Sequence, residues 1–187
     1  MALTQSDFVS PEQYLAEEQL RQERHEYYDG LVYAMSGGSY AHSTLASNFQ
    51  FLLKSHLKGS GCRASNSDMR LRVDVANCCF YPDVSVHCGQ VEAAMLSLPS
   101  ARIVVEVLSP STAAYDQGRK FDIYRQLADL QEYVLVDSES RNVHVFHRAD
   151  NGDWVFHGYS GSEIIQLASI DFSVSLTDLY DDTGIEE

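Results

Sequence analysis

Four residues of this 187-residue chain have the side chains and settings that chemistry needs: Asp83, Glu106, Lys120 and His42. Glu106 interrupts an otherwise aliphatic run, Ile103-Val104-Val105-Glu106-Val107-Leu108. Such a run reads as a strand buried on both faces. A carboxylate there is costly unless something positive or hydrogen-bonding meets it. Asp83 follows Pro82 and precedes Val84-Ser85-Val86, which places it where a strand begins or bends. Carboxylates on neighbouring strands raise each other's pKa, and a divalent cation removes the conflict. Hard oxygen donors suit Mg²⁺ or Mn²⁺. The structural alternative is that Glu106 pairs with an arginine and Asp83 caps a turn.

Lys120 is one of three lysines, beside Lys54 and Lys58. Asp116, Lys120 and Tyr124 recur every four residues and share one helical face. That helix follows the Glu106 strand after Ser109-Pro110-Ser111-Thr112. Its first turns should lie near the strand's C-terminal end, where sites in α/β sheets gather. A lysine there can orient a water or offset charge on a phosphate. The alternative is an exposed Asp116–Lys120 pair worth a few tenths of a kcal/mol. His42, just after Gly37-Gly38-Ser39-Tyr40, is either a metal ligand or base or a plain helix-start histidine.

The elements that must position these groups are legible in pattern. Ser10, Pro11 and Gln13 mark a helix start. Asp29-Gly30 marks a tight turn between two strands, and a second hairpin turns at Asn151-Gly152. Leu45, Phe49, Leu52 and Leu53 give an amphipathic helix after the glycine break. Met69, Leu71, Val73 and Val75 alternate with Arg70, Arg72 and Asp74, a strand pattern. Further strands are expected around Cys79–Val86 and Glu132–Ser138, and residues 181–187 read as a frayed acidic tail. The order predicts a single α/β (α+β) domain over 1–187, its core about 10–179. A mixed central sheet is flanked by helices, with extra β-hairpins.

Thirteen basic against 27 acidic residues give a net charge of −14, which argues against loose binding to nucleic acid or acidic membrane. It leaves room for a local basic cluster, which Arg63, Arg70, Arg72, Arg119 and Arg125 could supply for DNA. No apolar run reaches membrane-spanning length, and the first ten residues lack a leader pattern, so a cytoplasmic protein is the expectation. Cys62, Cys78, Cys79 and Cys88 lack zinc or disulfide-framework spacing and read as buried, reduced thiols.

Tyr81-Pro82-Asp83-Val84-Ser85-Val86, the Val104–Thr112 segment, Asp116/Lys120/Tyr124 and Glu132–Ser138 appear in order and at close spacing. Together with His25–Ser43 they resemble the bacterial "putative restriction endonuclease" domain family, a branch of the PD-(D/E)XK nuclease superfamily. The resemblance covers roughly residues 10–179. It implies a restriction endonuclease-like fold and Mg²⁺-dependent hydrolysis of DNA phosphodiester bonds. It assigns the metal to Asp83, Glu106 and the Val107 carbonyl, and a catalytic role to Lys120. His42 matches a helix residue beside the site, and Glu26 an acidic hairpin position. The superfamily's lysine two residues after the glutamate is replaced here by Leu108. Two other readings stand beside it. One is a non-catalytic interaction module, with Tyr- and Phe-rich hairpins offering a homodimer surface. The other is a metal-dependent small-molecule phosphohydrolase.

Overall fold

The structure, a computed structural model, describes residues 8–186. Residues 1–7, part of the stretch that lacks a leader pattern, and Glu187 lie outside the described residues.

In chain order the elements are α1 (Pro11–Glu18), β1 (His25–Tyr28), β2 (Leu31–Ala34), α2 (Tyr40–His56), β3 (Cys62–Asn66) and β4 (Arg70–Val73). Then come β5 (Cys78–Phe80), β6 (Val84–Cys88), β7 (Ser97–Leu98), β8 (Ile103–Leu108) and α3 (Ala113–Tyr115). A π turn (Asp116–Lys120) leads into α4 (Phe121–Tyr124). The chain ends with β9 (Glu132–Asp137), β10 (Asn142–Arg148), β11 (Trp154–Ser160), β12 (Ile164–Leu167), β13 (Phe172–Ser175) and α5 (Leu176–Leu179).

The predicted starts and turns are met. Ser10 Oγ accepts the Gln13 N–H and opens α1. A cap that was not predicted opens α2, where Ser39 Oγ accepts the His42 N–H. Asp29 and Gly30, both at positive φ (41° and 90°), close the β1–β2 hairpin as its tight turn requires.

Six strands form the central sheet in the order β11-β10-β9-β8-β6-β3. β8 and β9 run parallel, joined by the α3–α4 crossover, and the remaining pairs are antiparallel. A five-stranded sheet, β2-β1-β5-β4-β7, packs beside it, and β12–β13 form a small third sheet.

Alternation along the strands divides the core in two. Val105, Val107, Val84 and Val86 face Leu45, Phe49 and Leu53 of α2. Val104, Leu108, Tyr133 and Leu135 face Leu71, Phe80, Ile123 and Tyr124 on the other side. Each fully buried side chain contributes roughly 1.5–3 kcal/mol. Glu106 shares the parity of Val104 and Leu108. It therefore points away from α2 and toward the crossover helix.

Three expectations need correction. β4 stops at Val73: Asp74–Ala76 form a 3-10 turn closed by Asn77 at φ 53°, which reverses the chain into β5 and leaves Val75 exposed. Residues 181–186 are docked rather than frayed. Thr183 is buried, Asn48 donates to the Leu179 and Asp181 carbonyls, and Arg141 Nε donates to the Ile185 carbonyl. Finally, Cys62 and Cys88 form a disulfide, because the β3–β6 register sets them directly opposite each other. Cys78 and Cys79 are free and buried, as read.

Candidate active site

The β6–β8 register pairs Val84 with Val105 and Ser85 with Val104. One step further, Asp83 faces Glu106. Both residues line a cavity of about 170 Å³ with Glu26, His42, Val107, Asp116 and Lys120. Asp83 sits where the ladder ends, and its carboxylate completes it: the Val107 N–H donates to Oδ2 at 2.7 Å. His42 Nε2 lies 3.1 Å from Oδ1. That hydrogen bond raises the His42 pKa against the opposing effect of burial. Gly38 packs so closely on His42 that an added Cβ would lie 2.5 Å from the ring, so a side chain at 38 would displace the imidazole.

Glu106 is 4% exposed. Its Oε1 accepts hydrogen bonds from Tyr124 Oη at 2.9 Å and Lys120 Nζ at 3.2 Å. The arginine partner set out as an alternative is not what meets it. Lys120 lies 2.9 Å from Glu26 and 3.5 Å from Asp116. Asp116 and Lys120 are both buried, so theirs is not a surface pair. Burial alone would lower the Lys120 pKa. Glu106, Glu26 and Asp116 outweigh it and hold the amine protonated well above its usual range. The Glu106 pKa is driven up by burial first. Lys120 opposes the rise, and Asp83, Asp116 and Glu26 add to it. The π turn that carries Asp116 and Lys120 is a local departure from α geometry of the kind that concentrates at functional sites.

Four carboxylates thus surround one ammonium and one imidazole. Among the described residues no group of three or more His, Cys, Asp and Glu side chains is arranged to hold a metal ion. The donor set implied by the resemblance contains two such side chains, Asp83 and Glu106, and a carbonyl. The unbalanced negative charge and the two hard oxygen donors facing one cavity fit a divalent cation.

Sequence reasoning gave Glu26 a minor place and missed Tyr124 as a direct partner of Glu106. The every-four-residue pattern carried the Tyr124 signal. Glu26 had none stronger than its place in a hairpin. A buried carboxylate outside the site, Glu132, accepts from the Ser169 N–H at 2.9 Å and from the Ser169 hydroxyl, and so holds the turn after β12.

The arginines expected to form a basic cluster each have a partner of their own. Arg63 donates to the Gly89 carbonyl, Arg72 pairs with Asp74 and Arg125 with Asp122. Arg70 is buried over the rings of Tyr14 and Tyr81. Arg119 lies on Tyr28 at the edge of the site. β4 directs Arg70 toward α1, because its side chain is the one that Tyr14 covers. No described helix is long and apolar enough to cross a membrane.

The mixed sheet with its crossover helix is the fold that the resemblance to restriction endonuclease-like domains led us to expect. The family model described as Uma2, "Putative restriction endonuclease", matches residues 11–177, and the chain belongs to that family. It is 40% identical over 175 residues to the uncharacterized protein slr1290 of Synechocystis sp., covering 92% of this chain and 91% of that one. The uncharacterized protein sll1609 of the same organism is 28% identical over 176 residues, covering 92% and 97%. A crystal structure of a putative nuclease belonging to DUF820 from Anabaena variabilis shares the fold. Its TM-score is 0.73 at 16% identity, over 92% of this chain and 97% of that one.

Proposed function

We propose that the chain hydrolyses phosphodiester bonds of DNA with Mg²⁺ or Mn²⁺ held by Asp83, Glu106 and the Val107 carbonyl. One observation carries the reading: Asp83 and Glu106, far apart in sequence, face each other across the β6–β8 register into one cavity that Lys120 also lines. When bound, the cation acidifies a water and polarises a phosphate oxygen. His42 holds Asp83 Oδ1, and the Val107 N–H holds Oδ2, so the carboxylate is fixed before any ligand arrives. Tyr124 fixes Glu106 from the other side. Lys120, kept protonated by its acidic neighbours, supplies positive charge beside the scissile phosphate.

The test is a calorimetric Mg²⁺ or Mn²⁺ titration of the wild type, Asp83→Ala and Glu106→Ala, with plasmid nicking measured in parallel. Binding and nicking lost together in both variants support the proposal. Cation binding unchanged in both removes it.

A further inference from the structure

Beside the carboxylate cavity lies an aromatic recess of about 360 Å³, lined by Glu26, Tyr28, Leu31, Tyr33, Tyr115 and Arg119. The hairpin builds one wall. Glu26 stands opposite Tyr33, and Tyr28 opposite Leu31, so strand alternation puts these four side chains on one face. Tyr27 points the other way and stacks on Tyr14 in the core. Tyr115 and Arg119 form the second wall from α3 and the π turn. The Arg119 guanidinium lies 4.3 Å from the Tyr28 ring centroid and donates to the Tyr28 hydroxyl. Leu31 and Tyr33 remain 47% and 51% exposed.

The recess adjoins the acidic cavity. Glu26 and Tyr33 line both, and Lys120 joins them, 2.9 Å from Glu26 and 6.0 Å from the Tyr115 ring centroid.

Charge decides what such a recess can hold. Proteins that grip duplex DNA do so by neutralising phosphates with lysines and arginines. This chain has a net charge of −14, and four of the five arginines that could have formed a cluster are tied to carboxylates, a carbonyl or core rings. Stacking is the other source of affinity for nucleic acid. It needs an open aromatic face, to which a guanidinium adds, tolerates any base, and yields roughly ten-fold in affinity per base. A paired base within a duplex cannot present its face to a recess, whereas an unpaired base can.

We propose that this recess is a stacking subsite for an unpaired nucleobase, so that the substrate class is single-stranded nucleic acid, with the neighbouring phosphate carried over Asp83 and Glu106. Its catalytic use rests on the hydrolytic reading above, but the binding itself does not.

The experiment is fluorescence anisotropy in EDTA with labelled oligo-dT, oligo-rU, an abasic strand of equal length and a duplex. The proteins are the wild type, Tyr33→Ala, Tyr33→Phe, Tyr115→Ala and Asp83→Ala. At least one of oligo-dT and oligo-rU binds roughly ten-fold tighter than both the duplex and the abasic strand. The two Tyr→Ala variants lose about ten-fold, while Tyr33→Phe, which keeps the ring, binds as the wild type does. Equal or tighter binding of the duplex or the abasic strand overturns the proposal, as does wild-type affinity in both Tyr→Ala variants. A wild-type dimer in sedimentation that Tyr33→Ala dissociates also overturns it, since the recess would then belong to a second copy. EDTA removes the cation, so binding reads the recess alone. With Mg²⁺ restored, Asp83→Ala keeps the binding and loses cleavage of the labelled single strand, which separates a failure here from a failure of the hydrolytic reading.

Discussion

Lys120 Nζ and Glu26 Oε1 lie 2.9 Å apart, joining the crossover helix to the hairpin at the mouth of the acidic cavity. Glu106 and Asp116 complete a box of carboxylates around the same ammonium. Lys120→Ala leaves those acids facing one another without a counter-charge. We expect a loss of about 3–5 kcal/mol, the range for breaking a buried ion pair from one side, measured by urea unfolding in EDTA. Added Mg²⁺ should recover part of the loss. An unfolding midpoint equal to that of the wild type would show that the box does not depend on its lysine.

Glu106→Gln removes one negative charge from a site that holds too many and keeps the acceptor for Tyr124 and Lys120. In EDTA the variant should be as stable as the wild type or more so. It should also lose the stabilisation that a saturating divalent cation gives, about 2.7 kcal/mol at a hundred-fold excess over Kd. Thermal unfolding with and without Mg²⁺ reads both effects. A variant that keeps the full cation-dependent shift would remove Glu106 from the ligand set.

Burial pushes the Cys78 and Cys79 thiols to about 11 and the Tyr81 and Tyr115 hydroxyls to about 12. In each case the folded value lies above the unfolded one. The contribution of these groups to stability is therefore complete below the unfolded pKa and is lost as pH rises through the folded value. From these groups, thermal midpoints should fall between about pH 9 and 12. At pH 8 the two free cysteines should alkylate at least about 100-fold more slowly than in denaturant.

The Cys62–Cys88 bridge closes a loop between residues separated by 26 in sequence. Reduction should cost about 3.5 kcal/mol on chain entropy. A thiol titration of the denatured, unreduced protein should find Cys78 and Cys79 alone. Four reactive thiols before any reductant is added would mean that the bridge does not form.

The acidic tail contributes to the fold through Asn48, Arg141 and Thr183. Deleting residues 181–187 should lower stability by roughly 1–3 kcal/mol, from lost hydrogen bonds and the uncovered edge of the α2 core. Urea unfolding of the truncated chain is the check.

Periodicity, turn chemistry and one misplaced charge carried most of what could be read before the fold was known. The helix start at Ser10, the Asp29-Gly30 turn and the buried Glu106 strand are local facts. Each depends on residues within a few positions, and each is found as read. The acidic tail misled because composition reports charge, whereas docking depends on Asn48 and Arg141, which are distant in sequence. Arg70 misled because alternation gives the face of a strand but not its occupant: α1 covers the face that carries Arg70.

The sequence by itself determined that a carboxylate sits in a buried strand, that an aspartate begins another, and that a lysine follows on the next helix. Tertiary structure alone decided that Asp83 faces Glu106, that Glu26 shares Lys120 with both acids of its box, and that Cys62 meets Cys88. The reason is register. Periodicity along one strand fixes which face a side chain takes, but the residue opposite depends on how two strands slide past each other, and that is set by burying both core faces at once.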